Sequence, residues 1–304
     1  MYKMIKASKL LGLFLVLSFV ACKETAKKES ASTTEVETAE ATYNIPDSWI
    51  QKRVDAANKR LSATEAGKVL WSAMEAHGGL ENWYSNGYFS FHFDYKPLNG
   101  KGIRDSYQTI DTWSNKARHN SITDPSNTYG WDGEEAWVKA KDSTSFEYDT
   151  KFWALTPLYF SGQPFVLDGE GVNLELLPEV EFKGTLQKVV KATYDAGVGF
   201  APDDYYILYI NSETNLLDAF KYIVSYPEYF PEGGHAPEKI TVVQGTTTVD
   251  GIVLATGFKT YWSAEAKDGL GEYITDITVS DISFSPTVED NFFSKPEGAK
   301  VLND

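Results

Sequence analysis

His77, His92, His119 and His235, the 43 Asp and Glu residues and one thiol are the groups in this 304-residue chain best suited to catalysis or metal binding. The histidines are scattered. None forms a His-Glu-x-x-His pair or lies two to four residues from a cysteine, so spacing supplies no metal signature. His77 ends a helical stretch beside Gly78, where an imidazolium would complement the negative end of the helix dipole. His92 alternates with aromatic residues and faces either solvent or a lumen, an exposed polar strand face being the simpler expectation. Nucleophile signatures are absent: there is no Gly-x-Ser-x-Gly elbow and no Gly-rich loop ending in Lys-Ser/Thr. Gly197-Val198-Gly199 lacks the third glycine and the strand-to-helix setting of a dinucleotide fingerprint. The pairs Asp203-Asp204 and Glu134-Glu135 read as solvated loops. A glycosidase can use two carboxylates remote in sequence, which leaves Asp132, Glu134 and Asp204 as test positions for a hydrolase. The acidic calcium-loop pattern is missing. These residue types favour a protein that is not an enzyme and imply no cofactor and no metal. The excess of 43 acidic over 28 basic residues, a formal charge of −15, excludes a nucleic-acid binder that relies on a basic surface.

The one cysteine, Cys22, rules out an internal disulfide framework and a zinc site built from several thiolates. Its setting is more specific than its number. Lys3, Lys6 and Lys9 precede an apolar run from Leu10 to Ala21, broken only by Gly12 and Ser18, which is the pattern of a signal peptide. At 1.5 Å per residue the run is too short to cross about 30 Å of hydrocarbon. Ser18-Phe19-Val20-Ala21-Cys22 resembles a bacterial lipobox, in which the cysteine takes a diacylglycerol thioether, the chain is cut before it and the new amino terminus is acylated. Secretion with a free thiol is the alternative. Two or three acyl chains anchor stably where one is marginal. Lys23-Glu24 resembles part of an outer-surface export tag, which leaves the periplasmic and cell-surface faces of the outer membrane both open. The expected organisation is a signal peptide over residues 1–21, a lipidated Cys22 with a flexible tether over 22–43, and one β-rich domain over 44–304. Cleavage would remove three lysines and carry the formal charge from −15 to −18. The expected partners are the membrane, through the acyl chains, and the machinery that processes and sorts lipoproteins.

Behind the tether, Ile50, Val54, Ala57 and Leu61 form one apolar helical stripe, and Ser62-Ala63-Thr64-Glu65 fits a capping box for a second helix over about 63–76, stopped by Gly78-Gly79. After Trp83 the period becomes two. Phe89, Phe91, Phe93 and Tyr95 alternate with Ser90, His92 and Asp94, the pattern of a strand with one aromatic face. Asn99-Gly100 and Asp132-Gly133 signal hairpins, with return strands over 106–113 and around Trp137. From Phe152 to Leu167, large apolar residues interrupted by Pro157 and Pro164 read as short helices or a folded loop, either core or the cover of a cavity. Further strands are expected over 187–194, 205–211, 217–225, 239–244, 252–261 and 273–280. Consecutive strands with short turns and no repeating strand-helix unit predict an antiparallel meander of about ten strands. The tail from Pro286 is expected to pack only through Phe292 and Phe293. The expected fold class is mainly β, a large curved antiparallel sheet or incomplete barrel with N-terminal helices and a helical covering segment.

A curved sheet with an aromatic inner face can hold a greasy ligand. The side chains proposed to line such a cavity are Trp83, Phe89, Phe91, Phe93, Trp113 and Trp131, together with Trp137, Phe152, Trp153, Leu158, Phe160 and Tyr222. The lipobox, Ala76-His77-Gly78-Gly79-Leu80-Glu81-Asn82-Trp83, Gly130-Trp131-Asp132-Gly133 with Trp137, and Asp204-Tyr205-Tyr206 followed by Glu213-Thr214-Asn215-Leu216-Leu217 together resemble a Bacteroidota lipoprotein family similar to the LolA/LolB-like lipoprotein carriers. The resemblance spans about residues 60–295. It implies an incomplete antiparallel barrel wrapped around helices, with an apolar cavity able to take acyl chains, and no catalytic triad. The carriers' ligand-gating arginine has no counterpart in the strand Tyr88 to Tyr95, and neither Arg104 nor Arg118 is assigned to that role, so the resemblance implies lipid binding more than lipoprotein transport. The expected function is an envelope lipoprotein that binds a lipid or other hydrophobic ligand. The alternatives are a structural or protein-binding outer-membrane component and a hydrolase with paired carboxylates.

Overall fold

The computed structural model describes residues 40–302. The expectations for the signal peptide, the lipobox, Cys22 and most of the tether lie outside the described residues. The first described elements are β1 (Glu40–Thr42), α1 (Asp47–Leu61), α2 (Glu65–Ala76) and α3 (Leu80–Ser85). Strands β2 (Tyr88–Pro97), β3 (Arg104–Asp111), β4 (Ala117–Ser121), β5 (Thr128–Trp131) and β6 (Ala136–Lys139) follow. Helices α4 (Thr150–Trp153) and α5 (Thr156–Ser161) and a 3-10 turn (Phe165–Leu167) interrupt the strands. Next come β7 (Val172–Phe182), β8 (Thr185–Tyr194), β9 (Tyr206–Asn211), β10 (Leu217–Tyr222) and β11 (Lys239–Val243). The chain closes with β12 (Thr246–Val249), β13 (Ile252–Ala255), β14 (Gly257–Ser263), β15 (Leu270–Ser285), β16 (Thr287–Glu289) and β17 (Lys300–Val301).

One 13-stranded antiparallel sheet organises these elements in the order β17-β6-β5-β4-β3-β2-β15-β14-β11-β10-β9-β8-β7. Its two edges, β17 and β7, do not pair, so the expected sheet is present and it is open. The aromatic alternation of β2 explains where the core lies. Phe89, Phe91 and Phe93 have no exposed surface and share one face, while His92 on the other face bonds Asp105 (2.6 Å) and Ser280 (3.2 Å). Leu70, Ala73 and Met74 of α2 and Leu80 of α3 are equally buried in the same core. Trp83 stacks on Phe165 at 4.9 Å and meets Phe89 edge-on at 5.3 Å, closing the space in front of the β2 phenylalanines.

Several expectations are corrected. The second helix begins at Glu65, not near Ala63, because Ser62 caps the end of α1 and its hydroxyl donates to Asn58 (2.7 Å). Thr64 supplies the N-cap, accepting from the Gly67 N–H at 3.0 Å. The turn between the helices is tight enough to require Gly67, since a Cβ there would stand 2.0 Å from the Leu61 carbonyl oxygen. Helix α3 and strands β4, β7 and β12 carry no strong periodic signal and were not expected. The anticipated strand over 252–261 divides into β13, which pairs with β12 in a separate ribbon, and β14, which enters the large sheet. Residues 40–43, assigned to the tether, are bound to the body: β1 pairs with β16, the Tyr43 N–H donates to the Pro286 carbonyl, and the Tyr43 ring meets Tyr88 at 5.2 Å. The tail likewise contributes β16 and β17, because edge pairing draws on backbone groups and needs no apolar side chain.

Two histidines are structural. His77 was expected to act as a cation at a helix end. Instead its Nδ1–H donates to the Val253 carbonyl (2.8 Å) and its Nε2 accepts the Leu217 N–H (3.1 Å), which requires a neutral ring tying α2 to β10 and β13. Burial lowers its pKa accordingly. His119 has no exposed surface, stacks on Tyr129 at 4.2 Å and donates from Nε2 to the Ala154 carbonyl (2.8 Å), and burial lowers its pKa from 6.5 to about 4. An unfolded chain takes up these protons near pH 6.5 while the folded chain resists them. Stability is therefore expected to fall as pH drops from about 6.5 to about 4, by about 3 kcal/mol for His119, and to level off below that. Urea unfolding across this interval, in the wild type and in His119→Gln, checks it: the variant should have the shallower pH slope, and equal slopes would refute the assignment.

Candidate functional site

Helices α4 and α5 lie over the concave face of the sheet without filling it. Between them and the strands is a cavity of about 380 Å³, within the range of roughly 300–1,000 Å³ typical of small-molecule sites. The helical wall consists of Phe152, Trp153, Leu155, Thr156, Tyr159 and Phe160. The sheet contributes Tyr95 from β2, Trp131 from β5, Tyr194 from β8, Tyr206 from β9, Tyr222 from β10 and Lys239 from β11. The loop between β8 and β9 supplies Val198 to Ala201 and Asp204. This loop reaches across the open side of the sheet, where Phe200 meets Trp131 edge-to-face at 5.1 Å.

Local sequence explains the geometry. Leu155, Thr156, Tyr159 and Phe160 recur at helical spacing and turn one face of α5 to the cavity. Phe160 also contacts Phe93, Phe220, Tyr222 and Phe258 at 5.4–6.2 Å, which fixes α5 to the sheet. Tyr222 and Tyr206 are direct cross-strand partners and so project from the same face of the sheet. Trp153 meets Tyr95 at 4.8 Å, and the Arg104 guanidinium lies 4.3 Å over the Trp153 ring. The covering segment from 152 to 167 is therefore both core and wall.

Of the side chains proposed as lining, Trp131, Phe152, Trp153, Phe160 and Tyr222 border this cavity. Phe89, Phe91 and Phe93 share the strand face of Tyr95 but have no exposed surface, Trp83 of α3 packing on Phe89 and Phe160 of α5 on Phe93, so they and Trp83 are core. Leu158 falls on the buried side of α5 and is 2% exposed. Trp137 is corrected by register: Trp131 pairs with Ala136, and Gly130 pairs with Trp137, so the two tryptophans project from opposite faces. A Cβ on Gly130 would stand 2.8 Å from the Trp137 ring, and the Arg118 guanidinium lies 5.9 Å over it. Trp113 lines a different feature, an open groove of about 520 Å³ beside α1. That groove is bordered by Lys52, Arg53, Arg60, Asp168 and Glu170, and its principal charges are already paired. The Arg53 Nε donates to Asp168 (3.0 Å), and a second guanidinium nitrogen donates to the Trp113 carbonyl (2.8 Å).

The polar groups of the aromatic cavity are few. The Asp204 Oδ1 accepts the Ser225 N–H (2.6 Å) and hydroxyl (2.7 Å), and burial raises its pKa. The Lys239 ammonium lies 5.6 Å from the Tyr222 ring centre and 5.4 Å from that of Trp262. Burial lowers its pKa, with Arg104 adding to the effect. Burial also pushes the phenols of Tyr159, Tyr194, Tyr206 and Tyr222 up, so that all four remain neutral donors. Asp132 is held in a turn by the Glu134 and Glu135 N–H groups (2.9 and 2.8 Å), and the Glu134 side chain is exposed. Among the described residues no three His, Cys, Asp or Glu side chains gather as a metal site, and no helix is long and apolar enough to cross a membrane.

The fold is similar to that of LolA-superfamily proteins. A LolA superfamily protein from Nitrosomonas europaea aligns over 76% of this chain and 98% of its own, at 10% identity and a TM-score of 0.48. A DUF1329 family protein from Desulfovibrio piger aligns over 75% of this chain and 97% of its own, at 13% identity and a TM-score of 0.49. The Mycobacterium tuberculosis lipoprotein LppX aligns over 70% of this chain and 94% of its own, at 13% identity and a TM-score of 0.23. No family model and no curated protein matches the chain. Tyr159, Tyr194, Phe200, Tyr206 and Lys239 also border the cavity and were absent from the expected lining. Cross-strand pairing of two tyrosine-rich strands was the available signal for Tyr206, whereas Phe200 lies in a loop with no periodicity.

Proposed function

We propose that this protein is an envelope lipoprotein that binds a lipid or other hydrophobic ligand in the cavity under α4 and α5, without chemistry. The observation that carries the reading is an aromatic-walled space of about 380 Å³ in which large apolar side chains border solvent-accessible volume although the neighbouring core is closely filled. Removing apolar ligand surface from water is worth about 25 cal/mol per Å², and rigid rings supply that surface with little entropy to lose on binding. Native mass spectrometry of the purified full chain tests the reading: a non-covalent hydrophobic adduct is expected, and a chain that carries and accepts none would overturn it.

Location belongs to the same proposal. A lipidated Cys22 would hold the body at the outer membrane, with residues up to 39 as the connection to β1, and lipoprotein-processing and sorting enzymes would be its partners in biogenesis. Cys22→Ser is expected to move the protein out of the membrane fraction while circular dichroism of the body stays unchanged. Persistence in the membrane fraction would exclude acyl anchoring as the means of attachment.

A further inference from the structure

Lys239 is the one lysine on the cavity wall; the charge of Asp204 reaches it, but the two do not form an ion pair. Among the described residues no carboxylate lies within ion-pairing distance of its Nζ, which lies 5.6 and 5.4 Å from the ring centres of Tyr222 and Trp262. Lys221 on the neighbouring strand bridges to Glu238 at 3.1 Å, whereas Lys191 and Lys259, like Lys239, lie over tyrosine rings, and of these three only Lys239 borders the cavity. The one acid on the cavity wall, Asp204, is engaged by Ser225 through both the backbone N–H and the hydroxyl. An ammonium withdrawn from water without an anion is costly, and a ligand that brings the anion removes that cost. A second observation is independent of the lysine. The hydroxyl of Tyr194 is buried and has no hydrogen-bond partner, although Tyr194 lines the same cavity. Tyr159 and Tyr206, stacked at 6.1 Å, present further phenols to this wall. The wall thus carries one ammonium and several phenols against one carboxylate, Asp204, while Phe152, Trp153 and Phe160 make the helical side largely apolar.

Resting on the binding function proposed above, we infer that the ligand is an anionic amphiphile: a single apolar chain or ring system packs against α4 and α5, and a carboxylate or phosphate head is held by the Lys239 ammonium, with the unpartnered Tyr194 hydroxyl as a further donor on the wall of the same cavity. An ammonium can serve either oxyanion as a point charge, whereas a cationic head would be repelled by Lys239 despite the aromatic walls that otherwise suit cations.

The experiment is a binding titration of the full chain, read by tryptophan fluorescence, with dodecanoate, dodecyl phosphate, dodecanol and dodecylamine. The wild type is expected to bind the two anions about 10-fold to 100-fold more tightly than the alcohol, the range of a charge-assisted hydrogen bond, and to bind the amine more weakly still. Whichever anion binds more tightly identifies the head. Lys239→Met should abolish the preference for anions while leaving dodecanol affinity within about twofold, and Lys239→Arg should retain it. The wild-type series alone decides the matter if Lys239→Met does not fold. Equal affinity for anions and alcohol, or preference for the amine, would overturn the anionic head and leave the hydrophobic cavity intact. Failure of all four probes would overturn the cavity reading with it.

Discussion

Asp168→Ala is expected to destabilise the body by about 3–5 kcal/mol, although Asp168 lies outside the ligand cavity. Its side chain is 6% exposed and joins three elements remote in sequence. The Oδ2 atom accepts from the Arg53 Nε at 3.0 Å and from the Tyr84 hydroxyl at 2.5 Å, and Oδ1 accepts from a second Arg53 nitrogen at 3.3 Å. The backbone carbonyl of Asp168 takes a further bond from Arg60. Arg53 also lies 4.2 Å over the Tyr84 ring and 5.0 Å over that of Trp113. Removing the carboxylate leaves a largely withdrawn guanidinium without its anion and a buried phenol without its acceptor, the situation in which breaking an ion pair costs most. Burial, with the Asp168 charge adding to it, pushes the Tyr84 phenol well above its ordinary pKa, so the phenol remains a donor and cannot replace the lost charge. Asp168→Asn keeps an acceptor for Tyr84 and should lose less. Chemical unfolding of the three proteins gives the order wild type, Asn, Ala; an alanine variant within about 1 kcal/mol of wild type would show that the cluster does not hold α1 and α3 to the core.

Val224→Trp is expected to abolish ligand binding while the body stays folded. Val224 is half-buried on the cavity wall, beyond the end of β10, and an indole there can extend into open volume without displacing packed neighbours. Overpacking a filled core costs about 1–3 kcal/mol, and entering vacant space should cost less. Thermal unfolding should therefore shift by only a few degrees while affinity for dodecanoate falls below detection. Undiminished binding with a folded variant would mean that the ligand occupies other ground.

The sheet was legible because the physics of alternation is local. Phe89 to Tyr95 announce a half-buried strand, Asn99-Gly100 announces its hairpin with β3, and Asp132-Gly133 announces that of β5 with β6. The covering segment was legible as a break in that period. The site was legible only in part, since strand parity and register, not aromatic content, decide which rings meet. Trp131 and Trp137 look equivalent in sequence, yet the pairing of Trp131 with Ala136 turns them to opposite faces. Phe89, Phe91 and Phe93 point the expected way, but Trp83 of α3 packs on Phe89 and Phe160 of α5 on Phe93, tertiary contacts with no local signature. The ion pair of Arg53 with Asp168, separated by 115 positions, and the isolation of Lys239 emerge only when distant strands and helices are brought together. Local rules also miss edge strands such as β16 and β17, which are held by backbone pairing alone.

The most direct test of the account is the place of the ligand. Trp131 and Trp153 border the cavity, whereas Trp49, Trp71, Trp83, Trp113, Trp137 and Trp262 do not. A bromine-labelled fatty acid titrated into the full chain is expected to quench the wild-type fluorescence, and the quenching should vanish in the Trp131→Phe/Trp153→Phe double variant with affinity by calorimetry retained. Quenching that persists in the double variant would place the ligand elsewhere and contradict the account.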